Sequence, residues 1–586
     1  MFQPDLAEVT AAVEAAAGRR PGSVLLRRAS LLNVLSGERY GTDILLAGRL
    51  IAAVGPGYTA ETEIDLEGRA VAPGLIDAHL HLESSLVEPC EYARAVVPRG
   101  VTAVVCDPHE IANVLGVAGI EYVLAATEGL PLDVFVCASS CVPATSFETA
   151  GARLTPHDID GLLSHPRVVG VAELMNFPGV VDADPNELSK ALLAGQHGKV
   201  ADGHAPLLTG RALNAYLAAG ISSDHESSGV TEALEKLRLG CTVLIREGSA
   251  ARNLEALLPL IQPGYLHQLC FCTDDRHPHD LMDAGGVDCL VRRAIRAGID
   301  PVTAVRLASL NTARHFRLPR RGAVAPGYLA DLVILDDAAT FTPGLVIKNG
   351  RVVAEEGTLL EAPRRHVDLR VLDTVKLPSL TTRAFTLPDP GGEVRAIELI
   401  PGEILTREVT VRPLTRGGCI VADPARDLAK LAVIERHGHG GRVGAGLVRG
   451  FGLQRGAIAS TVGHDSHNLL VAGVSDDEML MAARLLAEMG GGFCAVAGGR
   501  ELARLPLPVA GLISDQPLSA VRADLDRLEE AARELGVTLR SPFMALSFLA
   551  LPVIPELRLT DLGLVAVSPG GVRPVDLHVN TGGDAP

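Results

Sequence analysis

Short apolar runs alternate with longer amphipathic segments through the middle of the chain. The apolar runs predict eight strands, at 72–79, 101–107, 133–139, 168–174, 199–204, 220–225, 241–247 and 266–274. The segments between them have helical periodicity, for example at 112–128, 187–195, 210–219 and 231–239. Strands that alternate with helices are typical of parallel βα units. Eight such units predict an α/β fold of the (β/α)8 TIM barrel type.

Both flanks of this region have the alternating apolar and polar positions of β-strands. The predicted strands lie at 23–32, 42–46 and 50–54 before it, and at 330–335, 343–348 and 351–355 after it. Asn349 and Gly350 between the last two strands are a hairpin turn signal. We therefore expect 1–72 and 326–375 to form one small β-sandwich, built from both sides of the barrel at 73–325.

The pattern changes again after about residue 375. Alternating, strand-like positions continue over 377–421, and amphipathic helices are predicted at 476–489 and 518–535. Because nothing in this part repeats the barrel units, the sequence predicts a separate C-terminal α+β domain over 376–586.

Composition narrows the functional classes. The 586 residues are 47% hydrophobic and only 3% aromatic, which favours large aliphatic cores such as those of parallel sheets. The formal net charge of −17, without a long basic run, argues against a nucleic-acid partner. We find no apolar stretch of about 18 residues and no signal-peptide core, so neither membrane insertion nor export is predicted. With scattered cysteines, we expect reduced thiols and a cytoplasmic, homo-oligomeric enzyme.

Histidines and acids stand where the apolar runs end. His79 and His81 are two residues apart, so a strand places both imidazoles on one face. Further candidates end the fourth, fifth, sixth and eighth strands, namely Glu173, His204, His225 and Asp274. Each alone could cap a helix or bond a loop. In barrel order, however, these nitrogen and oxygen ligands meet at one mouth, enough for two divalent metals.

The roles of these residues follow from charge and reach. Two cations that share a water lower its pKa, so that hydroxide is available near neutral pH. Glu173 is predicted to bridge the metals, because each of its oxygens can bind one. Asp274 is predicted to accept the proton of the attacking water and deliver it to a leaving nitrogen. The oxygen ligands favour Mn²⁺ or Fe²⁺, with Zn²⁺ as an alternative.

The first strand resembles a known signature. The run at 73–83, with its histidine pair, is similar to the first strand of the amidohydrolase superfamily, whose metal-dependent (β/α)8 barrels hydrolyse amides and ring amidines. The stretches 81–85, 107–113, 172–176, 202–205 and 273–276 resemble the bacterial adenine deaminase family. Glu173 stands where the related dihydroorotases and hydantoinases usually carry a carbamylated lysine. The resemblance spans essentially the whole chain, including 451–460 and 464–468.

This resemblance implies a reaction and its partners. The expected substrates are adenine and water, and the products are hypoxanthine and ammonia, as in purine salvage. Two alternatives stay open. Another binuclear amidohydrolase, acting on a cyclic amide or a dipeptide, would use the same ligands. A non-catalytic metal-dependent binding protein would have the ligands without a free proton acceptor.

Polar residues after the second strand are candidates for catalysis. Asp107 precedes a proline, which commonly opens a helix, so a helix-capping turn is one interpretation. The other is that Asp107, His109 and Glu110 relay a proton or hold the metal ligands in place. We predict His109 and Glu110 as catalytic residues beside Asp274.

Three further residues are predicted to bind substrate. Ser84 follows the histidine pair, and Arg276 follows Asp274 on the last βα loop. Arg276 could hold a purine nitrogen or pair with surface carboxylates. His464 begins a polar cluster at 464–468, and loop clusters of this kind are more often functional than core-forming. We therefore expect the C-terminal domain to contribute to the substrate pocket.

Overall fold

Eight parallel strands form a closed barrel in the computed structural model, which describes residues 4–568 and 571–579. These strands are Leu75–His81, Val101–Cys106, Asp133–Ala138, Val168–Leu174, Val200–Gly203, Ser223–Asp224, Thr242–Arg246 and Leu269–Cys272. A parallel bridge from Ala201 to Ile221 joins the fifth and sixth strands. Asp274–Asp275 continues the eighth strand and pairs with the first, which closes the barrel. The predicted (β/α)8 barrel is confirmed.

The start of the barrel corrects one predicted boundary. The strand predicted at 72–79 is two strands, because Ala70–Pro73 belongs to the flanking sheet and Leu75–His81 to the barrel. Gly74 separates them. A Cβ at this glycine would lie 2.2 Å from Oγ1 of Thr102 on the second barrel strand. Only glycine therefore allows the first and second barrel strands to approach each other here.

Helices cover the outside of the barrel. They are Pro89–Val96, His109–Leu115, Val117–Ala126, Pro156–Leu163, Phe177–Val181, Pro185–Gln196, Gly210–Ala218, Val230–Arg238, Leu254–Leu257, Pro278–Asp283, Asp288–Arg296, Pro301–Leu307 and Leu310–His315. The helix predicted at 112–128 is two helices, because Gly116 between them has φ +63° and ψ −140°. Sequence reasoning missed Pro156–Leu163, although Thr155 and Asp158 form a capping box at its start.

The two flanks of the barrel share one nine-stranded sheet. Its strands are Gly22–Asn33, Glu38–Ala47, Leu50–Val54, Ala60–Asp65, Ala70–Pro73, Leu332–Asp337, Thr342–Lys348, Arg351–Glu355 and Thr358–Leu359. Val71 pairs with Ile334 where the two flanks meet. The helix Leu6–Ala16 packs on apolar residues of the sheet, including Leu45. Strands from both sides of the barrel therefore combine in one continuous hydrogen-bonded sheet. The β-sandwich domain over 1–72 and 326–375 stays a prediction.

A buried lysine ties this sheet to the barrel. Lys348 Nζ lies 2.6 Å from Asp133 Oδ2 on the third barrel strand and 2.8 Å from Asp331 Oδ2. The Lys348 side chain is 3% exposed. Arg321 Nη2 also contacts Asp133, at 2.8 Å. Burial opposes ionisation of Asp133, but Lys348 and Arg321 outweigh it and hold its pKa well below the usual range.

We expect Lys348→Met to destabilise the protein by about 3 kcal/mol, the low end of the range for breaking a buried ion pair. The low end applies because Arg321 still pairs with Asp133. Lys376→Met is the matched control, since the side chain of Lys376 is 52% exposed and surface pairs contribute little. The measurement is the melting temperature of the metal-loaded protein. Equal melting temperatures for the two variants would contradict the prediction.

The C-terminal region is built on an eight-stranded sheet. Its strands are Val394–Leu399, Thr406–Val411, Leu428–Ile434, Val443–Arg449, Ala457–Ser460, Leu469–Gly473, Gly492–Ala497 and Arg500–Pro506. Two three-stranded sheets accompany it, formed by Leu387–Pro388, Leu414–Arg416 and Cys419–Val421, and by Leu557–Thr560, Gly563–Ser568 and Gly571–Pro574. Its helices are Asp476–Glu488, Leu518–Glu534 and Pro542–Ser547. An additional domain of mixed α and β structure after the barrel was expected, whereas the limits at 72, 325 and 375 stay predictions.

Short 3-10 turns complete the structure, at Leu82–Ser85, Val97–Arg99, Leu258–Leu260, Leu266–Gln268, Leu369–Val371, Thr382–Phe385, Pro424–Arg426 and Phe548–Ala550. The first of these turns follows the histidine-bearing strand directly. Within 4–568 and 571–579, no helix combines the length and the apolar character that crossing a membrane requires.

Candidate active site

Four of the predicted ligands form one group at the barrel mouth. His79 Nε2 and His81 Nε2 each lie 3.1 Å from Glu173 Oε1. Asp274 Oδ1 lies 3.1 Å from His81 Nε2 and 3.9 Å from His79 Nε2. All four side chains are at least nine-tenths buried. Two nitrogens and two oxygens therefore face one small volume.

A second group lies on the other side of Glu173. Glu173 Oε2 is 2.8 Å from His204 Nδ1 and 3.6 Å from His225 Nε2. The two oxygens of Glu173 thus face different histidine groups. All six residues that the sequence singled out as ligands come together at this end of the barrel.

Unpartnered polar atoms indicate that these groups fit a cation. His79 Nε2 and Glu173 Oε1 are buried and make no hydrogen bond within the described residues. Burial favours the neutral acid, yet the His225 and His79 imidazoles hold the pKa of Glu173 well below its usual range. Imidazole nitrogens and carboxylate oxygens without hydrogen-bond partners, at these separations, are the kind of atoms that bind divalent metals.

Neighbouring groups orient the histidine pair. His79 Nδ1 lies 3.3 Å from Asp202 Oδ2, and His81 Nδ1 lies 2.9 Å from the carbonyl oxygen of Asp107. These contacts use the Nδ1 atoms and leave both Nε2 atoms for a metal. Sequence reasoning missed Asp202. The available signal was its place two residues before His204, on the same face of the strand predicted at 199–204.

Asp274 is held by an arginine from the seventh strand. Its Oδ2 accepts a hydrogen bond from Arg246 Nη1, while Arg246 Nη2 lies 2.9 Å from Glu226 Oε2. Burial opposes ionisation of Asp274, but Arg246 outweighs it and keeps its pKa well below the usual range. Oδ1 therefore stays directed at His81. Sequence reasoning did not find Arg246 or Glu226, although Arg246 ends an apolar strand in the same way as the ligands.

The residues after the second strand contact one another. Asp107 Oδ2 lies 2.9 Å from His109 Nδ1, and Asp107 Oδ1 accepts a hydrogen bond from Ser139 Oγ at 2.8 Å. The helix here begins at His109 and has no side-chain cap. Asp107 therefore holds His109, and the helix-capping interpretation is wrong. His109 Nε2 lies 3.5 Å from Glu110 Oε1.

Two C-terminal histidines reach the barrel through Glu110. His464 Nδ1 lies 2.7 Å from Glu110 Oε1, and His467 Nε2 contacts Glu110 Oε2. The His464 ring stacks on Phe548, with ring centres 4.5 Å apart. Residues from the polar cluster at 464–468 thus form part of the barrel mouth.

A cavity of about 560 Å³ lies between the barrel mouth and the C-terminal region. Its wall includes Glu83, Ser84, Glu110, His277, His464 and His467. This volume lies within the usual range for small-molecule sites. Arg276 is not among the lining residues, since its Nε and Nη1 donate to the carbonyl oxygens of Gly285 and Glu247 at 2.8 and 2.9 Å.

The closed barrel and the ligands at its strand ends define an amidohydrolase. The Amidohydrolase family model matches residues 70–353, and the model of the Adenine deaminase C-terminal domain matches residues 403–570. The chain is similar to the adenine deaminase of Desulfatibacillum aliphaticivorans, with 48% identity over 95% of this chain and 97% of that protein. It is also similar to adenine deaminase 2 of Carboxydothermus hydrogenoformans, with 46% identity over 96% and 99%. The chain belongs to the adenine deaminase family.

Proposed function

We propose that this protein hydrolyses adenine to hypoxanthine and ammonia. The observation that carries the proposal is Glu173, whose two oxygens face separate histidine groups at the barrel mouth, in a chain of this family. Water and adenine are the substrates. A role in purine salvage, a cytoplasmic location and a homo-oligomeric state stay predictions.

The ligand groups support two divalent metals per chain. His79, His81, Glu173 and Asp274 would hold one metal, and Glu173, His204 and His225 the other. Mn²⁺ or Fe²⁺ is the preferred assignment, with Zn²⁺ as an alternative. Bound there, the metals would supply hydroxide near neutral pH. Metal analysis of fully active enzyme should give two ions per chain, and a single ion would contradict the binuclear assignment.

Asp274 is the proposed proton carrier. Its ionised carboxylate, oriented by Arg246, accepts the proton released as the water oxygen adds to C6 of adenine. The same proton then passes to the exocyclic nitrogen. As the oxygen adds, the π electron pair of the C6–N1 bond moves to N1. It returns to C6 when the bond to the exocyclic nitrogen breaks, and ammonia leaves with the electron pair of that bond, which gives hypoxanthine in its hydroxy form.

His109 and Glu110 are proposed to assist at the reacting end. Asp107 fixes the His109 ring, so that Nε2 faces Glu110. Glu110 also contacts the two C-terminal histidines, His464 and His467. This chain of polar contacts can hold or pass a proton between the metal ligands and the cavity wall.

Ser84 and His464 are proposed to contact the purine, since both line the cavity. Ser84 Oγ donates to Asp275 Oδ1, which places its hydroxyl beside the end of the eighth strand. Arg276 has less support as a substrate contact, because it does not line the cavity and two of its guanidinium nitrogens already donate to loop carbonyls. Its Nη2 is buried and makes no hydrogen bond within the described residues.

One assay tests the proposed reaction against the alternatives. Enzyme reconstituted with Mn²⁺ is incubated with a panel of purines, hydantoins and dipeptides. We expect ammonia release from adenine. Ring opening of a hydantoin or cleavage of a dipeptide, without ammonia from adenine, would favour the other amidohydrolase reactions. No turnover of any substrate by metal-loaded protein would favour a binding function.

We expect His464→Ala to raise KM for adenine about tenfold, the effect of one lost hydrogen bond of about 1.4 kcal/mol. Metal content should not change, because His464 contacts Glu110 rather than a ligand. His439→Ala is the matched control, since His439 belongs to the same region but is exposed. Wild-type kinetics for both His464→Ala and His467→Ala would contradict a role for the cluster.

A further inference from the structure

A buried carboxyl group on the cavity wall has an oxygen without a hydrogen-bond partner. Glu83 is 3% exposed and lies in the turn Leu82–Ser85, directly after the first barrel strand. Its Oε1 accepts the backbone N–H of Ile111 at 3.0 Å. Its Oε2 is buried and makes no hydrogen bond within the described residues. Because a buried acceptor without a donor is costly, this oxygen indicates a ligand that supplies one.

The contacts around Glu83 hold it in place. Ser85 Oγ donates to the carbonyl oxygen of Leu82 at 2.6 Å, and Ser84 Oγ donates to Asp275. Ile111 lies in the first turn of the helix His109–Leu115, which follows the second barrel strand. Glu83 therefore connects two barrel loops, and its free oxygen has a set position beside the cavity.

A second acid of the cavity wall, Glu110, differs from Glu83 in its contacts. Glu110 contacts His464 with one oxygen and His467 with the other. Both of its oxygens thus have partners from the C-terminal region. Of these two carboxyl groups, Glu83 is the one with an open acceptor.

We propose that Glu83 Oε2 accepts the ring N–H of the imidazole half of adenine and so selects the free base. This inference rests on the proposed deaminase function. Adenine carries N–H groups at two places, the C6 amine and the imidazole ring. The amine must face Glu173 and Asp274 to be removed, which leaves the ring N–H for the wall. A purine substituted at N9, as in a nucleoside, lacks that donor.

The geometry also explains why glutamine at position 83 could not accept the ring N–H. The N–H of Ile111 requires an acceptor, so the amide oxygen of a Glu83→Gln side chain would face Ile111. Its NH₂ group would then face the purine ring N–H, and two donors would meet. The substitution keeps the size of the side chain and removes only its ability to accept this bond.

The test uses ligands that lack the leaving amine. The binding of purine and of 9-methylpurine to metal-loaded enzyme is measured by titration calorimetry, for wild type, Glu83→Gln and the control Glu88→Gln. Glu88 is a buried glutamate that pairs with Arg365 and does not line the cavity. We expect wild type and Glu88→Gln to prefer purine over 9-methylpurine. Glu83→Gln should bind purine about 10–100-fold more weakly, with little change for 9-methylpurine.

Several outcomes would overturn the inference. The first is that wild type binds the two ligands with equal affinity. The second is that Glu83→Gln binds purine as tightly as wild type does. The third is that a Glu83→Gln protein that keeps its metals loses affinity for both ligands equally. Even if the variant does not fold, equal affinity of wild type for the two ligands would still overturn the inference. If wild type deaminates adenine but Glu83→Gln binds purine normally, only this inference fails. If wild type prefers purine and Glu83→Gln loses that preference, but wild type releases no ammonia from adenine, the proposed reaction fails and the assignment of Glu83 as a purine acceptor stands.

Discussion

Asp274→Asn is expected to lower kcat for adenine by about 10²–10⁴-fold, the usual contribution of a general acid–base group. An amide cannot accept the proton that the carboxylate takes. Arg246 strengthens the effect, because its Nη1 donates to Oδ2 and requires an acceptor there. The amide oxygen of asparagine would take that place, and its NH₂ group would face His81.

The second ligand group makes it possible to distinguish the loss of proton transfer from the loss of metal in variants of Asp274. His204 and His225 contact Glu173 rather than Asp274, so this position should stay occupied in Asp274→Asn. Asp274→Ala serves as the comparison, because it removes the oxygen ligand together with the proton acceptor. Single-turnover rates and metal content are measured for both variants. Wild-type kcat in an Asp274→Asn enzyme with full metal content would exclude Asp274 as the base.

The ligand positions could be predicted because, in a parallel barrel, a residue's place at the end of a strand determines where it lies in the fold. Each ligand ends an apolar run, and the carboxyl ends of parallel barrel strands meet at one mouth. His79 and Glu173 are therefore brought together by topology alone, whatever the loops between them do. Most of the eight strands could be found for the same reason, since they are buried apolar runs between polar segments. The sixth, Ser223–Asp224, is an exception, because it consists of two buried polar residues.

Contacts that depend on tertiary packing could not be predicted in this way. Glu110 and His467 are 357 residues apart, and no local pattern pairs them. The hydrogen bond from Arg246 to Asp274 depends on the side-chain direction at two strand ends. Gly74 separates two sheets within one apolar run, because the close approach of Thr102 cannot be seen in the sequence.

Glu173→Gln should be the most damaging single change at the metal centre. One Glu173 oxygen lies 3.1 Å from both His79 and His81, and the other lies 2.8 Å from His204. The amide keeps the shape of the side chain but offers only one oxygen and no charge. Its NH₂ group must then face one of the two histidine groups, where a donor cannot bind a cation.

We therefore expect Glu173→Gln to lose at least one metal per chain and to reduce kcat/KM by more than about 10⁴-fold, the upper end for a single acid–base group. Glu187→Gln is the matched control, since Glu187 is also buried but pairs with Lys190 outside the ligand groups. Metal analysis after dialysis and the rate of ammonia release are the measurements. The loss should exceed that of Asp274→Asn, because Glu173 contacts both ligand groups and Asp274 only one. A Glu173→Gln protein that retains two metals per chain would contradict the bridging role of this carboxylate.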